Sequence, residues 1–126
     1  VSPFLGRIDD YIRNKNNVDF NKSDYYPAEG KIVNGEVIHD NGIISGVDLT
    51  AQTVQLIQGF GYPTEVIAAS IRNKRQAREA ALVGADIVTL PFPVIEELLV
   101  HYKTQEGMKK FTDDVVPEYE KLISNG

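Results

Sequence analysis

The chain has 126 residues, a formal net charge of −5 and no cysteine. The acidic balance argues against a general nucleic-acid surface. The lack of cysteine removes disulfide staples, thiol nucleophiles and thiolate metal sites. No apolar run nears the roughly 20 residues that cross a bilayer, and no signal-peptide pattern is present. The expectation is therefore a cytoplasmic protein with neither membrane nor nucleic acid as partner.

Residues 1–10, VSPFLGRIDD, look like a strand end followed by a loop. Pro3 cannot donate to a central ladder, so pairing should stop near it. The apolar start of a first strand is missing before Val1, which makes the chain a candidate fragment or one piece of a cleaved protein. A hydroxyl (Ser2) and a guanidinium (Arg7) then lie just past the strand end. Asp9 or Asp10 could instead hold Arg7. Residues 11–45 are rich in Asn, Lys, Asp and Tyr with little period, so they are expected to be a long loop. Inside it, residues 31–38 carry a hairpin signal, two β-prone runs around Asn34-Gly35, the preferred type I′ turn. That hairpin is either a surface ornament or a lid over a substrate.

Ser45-Gly46-Val47-Asp48 has the form of a capping box, with Asp48 replacing the usual Glu. The helix it opens should run to about Gly59, with Val47, Leu49, Val54, Leu56 and Ile57 as its apolar set. Val66 to Ala69 form a short apolar run of the kind buried on both faces of a parallel sheet. Asn73 is the expected N-cap of the next helix, which has Ala77, Ala80 and Ala81 at helical spacing before Gly84. Ile87 to Leu90 give another buried strand, and Pro93 can open a further helix. From about Gln105, Met108, Phe111, Val115, Tyr119, Leu122 and Ile123 step by three or four, with Pro117 expected to kink or split the helix. Strands alternating with helices imply parallel pairing with right-handed crossovers.

The stretch around which the chain is organised is Ser70-Ile71-Arg72, between that short strand and its helix. Arg72, Lys74, Arg75 and Arg78 crowd the helix start, where each exposed cation costs roughly 0.3–1 kcal/mol against the helix dipole. Either carboxylates elsewhere pair with them, or an anion sits among them. Backbone N–H groups, a hydroxyl and a guanidinium aimed at one point describe a phosphate site. The second occurrence of Ser followed by Arg past a strand end, Ser2 and Arg7, supports the anion, because ligands of α/β sheets gather at the carboxyl ends of the strands. His39 and His101 are isolated, and no metal-ligand spacing surrounds them. Tyr25 and Tyr26 could line a pocket or simply pack.

VSPFLGRIDD, EVIAASIRNKRQA and GADIVTLPFPVIEELL, in this order, resemble the transaldolase family, which includes fructose-6-phosphate aldolase-like enzymes. The closing TQEGMKKFTDD also looks like that family's last helix. The resemblance covers residues 1–10 and about 42–124, while 11–41 is longer than the family pattern. It implies an α/β fold that is the C-terminal part of a (β/α)8 TIM barrel, from the end of the sixth strand to the final helix. Residues 1–126 would then be a partial barrel domain, short of the ~250 residues of a closed one. It further implies Schiff-base transfer or aldol cleavage of a dihydroxyacetone unit on sugar phosphates, within the pentose phosphate pathway and without a cofactor or metal. By that likeness Arg7, Ser70 and Arg72 bind the sugar phosphate and Ser2 touches the dihydroxyacetone hydroxyls. Phe4 stands where aldolase-type members carry Tyr, which favours transferase behaviour. The Schiff-base lysine belongs to an earlier strand, so no catalytic residue is expected here. Neither Lys31 nor Lys74 has the burial that activates such a lysine. The alternative is a non-catalytic half-barrel that binds a phosphorylated ligand or a partner chain. An incomplete barrel leaves strand edges open, so self-association or pairing with the missing N-terminal half is also expected.

Overall fold

The backbone donors that open the first helix, α1 (Leu5–Lys15), are taken by a neighbouring strand and not by a capping side chain. In this computed structural model, which describes residues 1–124, the N–H groups of Leu5 and Gly6 donate to the carbonyls of Ala69 and Ser70 at 2.9 and 3.1 Å. Two of the orphan donors of a helix start are thereby satisfied. The expected loop over residues 5–15 thus gives way to a helix. Leu5, Ile8 and Ile12 do have helical spacing, but buried Asp9 and Arg13 sit on the same side and mask the apolar stripe.

The rest of the expected long loop is held down by a core of its own. Strands β1 (Ile32–Val33) and β2 (Glu36–Val37) form an antiparallel hairpin. Asn34 and Gly35 have φ of 53° and 85°, the left-handed pair that a type I′ turn requires. Ile12, Tyr26 and Ile38 are buried together, with Ile8, Val18, Val33 and Ile43 packed against them. Residues 16–45 therefore fold onto the second half of α1.

Helix α2 (Gly46–Gly59) starts at Ser45, whose hydroxyl accepts the Asp48 N–H at 2.9 Å. The Asp48 carboxylate reaches one residue further back than a capping box would, to the Ile44 N–H at 3.1 Å. Its buried face is Gly46, Val47, Thr50 and Val54, and Leu56 points outward at 60% exposure. The expected inward set is corrected accordingly. Thr50 can be buried because its hydroxyl donates to the Gly46 carbonyl at 2.8 Å.

Strand β3 (Ile67–Ala68), helix α3 (Lys74–Leu82) and strand β4 (Ile87–Val88) follow, and the two strands pair in parallel with Ile67 opposite Ile87 and Ala68 opposite Val88. On its other side β3 meets the segment before α1: Phe4 bridges to Ala69 in parallel, and the Ile67 and Ala69 N–H groups donate to the Val1 and Pro3 carbonyls. β3 is thus the middle of three parallel segments. The expected double-sided burial holds for Val66, Ala68 and Ala69, but Ile87 is 43% exposed. Among the described residues, β4 has a strand partner on one side only.

Helix α4 (Phe92–Leu99) carries Pro93 in its first turn, where the missing N–H is harmless. Helix α5 (Tyr102–Ser124) begins earlier than Gln105 and runs through Pro117 without being split. Residues up to Ile95 form one compact unit and those from Glu96 a second. The core of the first unit is Leu5, Val47, Ala68, Ile71, Ala77, Ala80 and Val94. No helix of the described residues is long and apolar enough to cross a membrane.

Helices α1 and α2 approach closely in this core. A Cβ on Gly46 would lie 2.4 Å from the Leu5 carbonyl oxygen and 2.5 Å from its Cα. Backbone atoms cannot swing aside as a flexible side chain can. Gly46→Ala is predicted to lower the unfolding free energy by about 2–3 kcal/mol in urea titrations, the cost of overpacking a tight core. An unchanged midpoint would contradict this contact.

Candidate functional site

At the carboxyl end of β3 the chain makes a turn that strains any residue other than glycine. Ser70 has φ +58°, a left-handed conformation that non-glycine residues seldom hold and that costs of order 1–3 kcal/mol. Ser70 is half-buried and Ile71 is buried. Asn73 then caps α3, accepting the Gln76 N–H at 2.9 Å. The Gln76 side chain reaches back so that its Oε1 accepts the Arg72 N–H at 2.9 Å. This is the same displaced box seen at α2.

Two adjacent carboxylates of α1 complete the arrangement. Asp9 is buried, accepting the Gly46 N–H at 2.7 Å on Oδ1 and the Gln76 Nε2–H at 3.0 Å on Oδ2. Burial pushes its carboxyl up to about 6, although the Gly46 N–H and the nearby Arg13 and Arg72 charges work in the opposite direction. Asp10 takes the Arg72 side chain. Nη1 donates to Oδ1 at 2.6 Å and Nη2 donates to Oδ2 in a fork. Nη1 also reaches the Lys22 carbonyl at 3.4 Å. The Asp10 bond raises the Arg72 guanidinium further above its ordinary value. Gly6 leaves room for this crossing, since a Cβ there would stand 2.6 Å from Arg72 Nε and from the Ser70 carbonyl oxygen.

The expected site residues are distributed around this turn. Arg7 lies in the first turn of α1, one residue after the Gly6 that packs against Arg72, and its charged group sits 5.1 Å from the centre of the Phe4 ring. Neither Asp9 nor Asp10 is its partner: Asp9 serves Gly46 and Gln76, and Asp10 serves Arg72. Ser2 is exposed on the segment that pairs with β3. A hollow of about 250 Å³ is lined by Ser70, Ile71, Thr89, Leu90 and Pro91. Ser70 is the one expected site residue on its wall, and neither arginine lines it.

The crowded cations at α3 are partly balanced by protein carboxylates. Arg72 has Asp10, and Arg75 Nε donates to Glu79 at 3.0 Å. A bound dianion is therefore not required to explain that crowding, which corrects the argument from charge alone. Arg75 also lies 4.1 Å from the centre of the Tyr25 ring, and the Tyr25 hydroxyl donates to the same Glu79 oxygen at 2.8 Å. Burial and this carboxylate push Tyr25 up to about 12. Tyr26 packs in the second core. Among the described residues, no group of three or more His, Asp and Glu could hold a metal.

Gln76 is not among the residues singled out from the sequence, and Asp9 and Asp10, expected at most to hold Arg7, hold Gln76 and Arg72 instead. Gln76, three residues after an N-cap Asn, is a readable capping signal. Asp10 meets Arg72 across 62 residues, and no local pattern reports such a pairing.

A family model described as Transaldolase/Fructose-6-phosphate aldolase matches residues 1–124. A probable transaldolase of Chlorobium chlorochromatii (strain CaD3) is 36% identical over 114 residues, covering 90% of this chain and 37% of that protein. One of Chlorobium phaeobacteroides (strain BS1) is 38% identical over the same shares. One of Agathobacter rectalis is 35% identical, with 38% of its length covered. The chain thus spans well under half the length of the curated relatives it matches.

The buried Asp9 makes a pH prediction. Its folded value near 6 lies above the ordinary 3.8, so between those pH values the native state holds a proton that the unfolded chain has released. Its contribution to stability therefore falls as pH rises from about 4 to 6 and is level above that, a total on the order of 3 kcal/mol. Asp9→Asn removes this titration. The stability difference between wild type and variant, measured by urea denaturation, should fall across that window. A difference that does not vary with pH would contradict the burial of the carboxyl.

Proposed function

The chain belongs to the transaldolase/fructose-6-phosphate aldolase family, and from that premise we propose that it supplies the phosphate-binding side of an enzyme acting on sugar phosphates. The reaction is Schiff-base transfer or aldol cleavage of a dihydroxyacetone unit. In this reading the described strands and helices are the C-terminal part of a (β/α)8 barrel, from its sixth strand to its last helix. The nucleophilic lysine and the water-positioning groups come from residues outside this sequence. Those residues are also the natural partner for the open side of β4.

The observation that best supports a site here is Ser70. A side chain held at φ +58° at the carboxyl end of a parallel strand, on the wall of a hollow, is strain of the kind that persists at functional positions. Ligands of α/β folds gather at that end. The Ser70 hydroxyl, with Arg7 and Arg72, binds the phosphate. Asp10 and the Lys22 carbonyl occupy one end of the Arg72 guanidinium, and Nε and the second hydrogen on Nη2 are the donors these two groups do not use. Ser2 binds the hydroxyls of the three-carbon unit. Phe4 provides an apolar wall and holds Arg7 by a cation–π contact worth about 0.5–1 kcal/mol at an exposed site. With Phe at that position and no phenol to donate, transfer to a second sugar phosphate is favoured over release of free aldehyde.

Arg72→Ala is expected to weaken sugar-phosphate binding by about 1.5–3 kcal/mol, the worth of a charge-assisted contact, in calorimetric titration. Ser70→Gly relieves the backbone while adding unfolded-state entropy, so stability should change by less than ~1 kcal/mol even as affinity drops. Unchanged affinity in both variants would remove the assignment. The chemistry is tested by borohydride trapping with fructose 6-phosphate on the full-length protein that contains this chain. A covalent adduct supports the enzyme. A well-folded protein with no adduct supports instead a non-catalytic module that holds a phosphorylated ligand.

A further inference from the structure

We propose that Asp10 is the positioning residue for Arg72: it fixes the plane of that guanidinium, so that the edge bearing Nε faces the incoming anion. The inference rests on the phosphate-site reading above and adds a residue to it. Three observations carry it.

First, the contact is a two-bond fork, Nη1 to Oδ1 at 2.6 Å and Nη2 to Oδ2. A fork sets the plane of the guanidinium, whereas a single bond leaves it free to turn. The remaining Nη1 hydrogen is directed at the Lys22 carbonyl at 3.4 Å. The two donors left on Arg72, on Nε and Nη2, are therefore fixed in direction before an anion arrives, with Gly6 packed beside Nε. Groups aimed in advance lose less ordering free energy when the ligand binds.

Second, Asp10 is itself held from behind. Arg13 is 1% exposed, and its Nη1 stands 3.6 Å from Asp10 Oδ1. Its Nε and Nη1 have no hydrogen-bond partner. Asp10 is the carboxylate ion-paired with this buried charge, so swinging toward solvent would cost Arg13 that pairing and leave it only the attraction of buried Asp9. Arg13 is fixed in turn. Phe20 and Tyr26 lie 4.6 and 4.9 Å from its charged group by their ring centres, and Nη2 donates to the Asp24 carbonyl at 2.9 Å.

Third, both carbonyls in this set, Lys22 and Asp24, come from the segment between α1 and the hairpin. That segment clamps Arg13 and touches Arg72, and Asp10 links the two.

The test must separate geometry from charge. Asp10→Glu keeps the charge and moves the carboxylate by one methylene. In the full chain, titrated with inorganic phosphate, it should lower affinity about tenfold. It should have no further effect when added to Arg72→Ala. Nitrogen-resolved NMR of the wild-type protein gives a readout that needs no variant to fold: Arg72 should show separate, slowly exchanging Nη1 and Nη2 signals. Asp10→Asn should merge them. Fast-averaged Arg72 signals in the wild type, or an Asp10→Glu affinity equal to wild type while Arg72→Ala loses binding, would overturn the positioning role alone. An Arg72→Ala protein that binds phosphate like wild type would overturn the phosphate site and this proposal with it.

Discussion

Two neighbouring aspartates on one helix grip a single arginine in two different ways, and the geometry of the region depends on that grip. Asp9 is buried and fixes Gln76, which in turn holds the Arg72 backbone N–H. Asp10 is half-buried and takes the Arg72 side chain directly. The first carboxylate also receives the N–H of Gly46 at the start of α2. So α1, α2, α3 and the turn after β3 meet at one pair of acidic residues. The cost is a carboxyl taken out of water, and its raised pKa records that cost. What it secures is a turn whose Ser70 stays in a strained conformation while the guanidinium beside it is held in one plane.

This explains why a helix stands where a loop is expected. A helix start with no capping side chain would be a weak element alone. Here the carbonyls of Ala69 and Ser70 supply the cap, so α1 begins where the strand ends and cannot shift along it. The same register places Gly6 against Arg72 and Asp10 against its guanidinium. The long segment after α1 then buries Arg13 between two aromatic rings, which makes α1 the shared wall of two separate cores.

Much of the scaffold is legible in the sequence because its signals are local. Ser45 and Asn73 announce their helices, Asn34-Gly35 announces the hairpin, and Gly84 takes the positive φ (90°) of a turn before β4. The family itself is recognisable from three short motifs. The polar interior is hidden from such reading. Asp9 and Arg13 look like surface residues, because charged side chains are seldom fully buried unless paired; the partners of Asp9 lie 37 and 67 residues away, and those of Arg13 include a segment with little period. Of the cations crowding α3, Arg72 has a distant carboxylate in Asp10, whereas the Arg75–Glu79 pair is an i,i+4 spacing that local reading can find. Local spacing reports helices, strands and turns. It does not report which charges neutralise one another across the fold.

On the proposed reading, the turn after β3 receives a phosphate group beside the start of α1. The most direct measurement is a backbone amide NMR titration of the chain with fructose 6-phosphate. Saturable shifts concentrated at residues 70–73 and 6–7 are expected. Shifts that fail to saturate, or that scatter over exposed lysines while Ser70, Ile71 and Arg72 stay still, would contradict it.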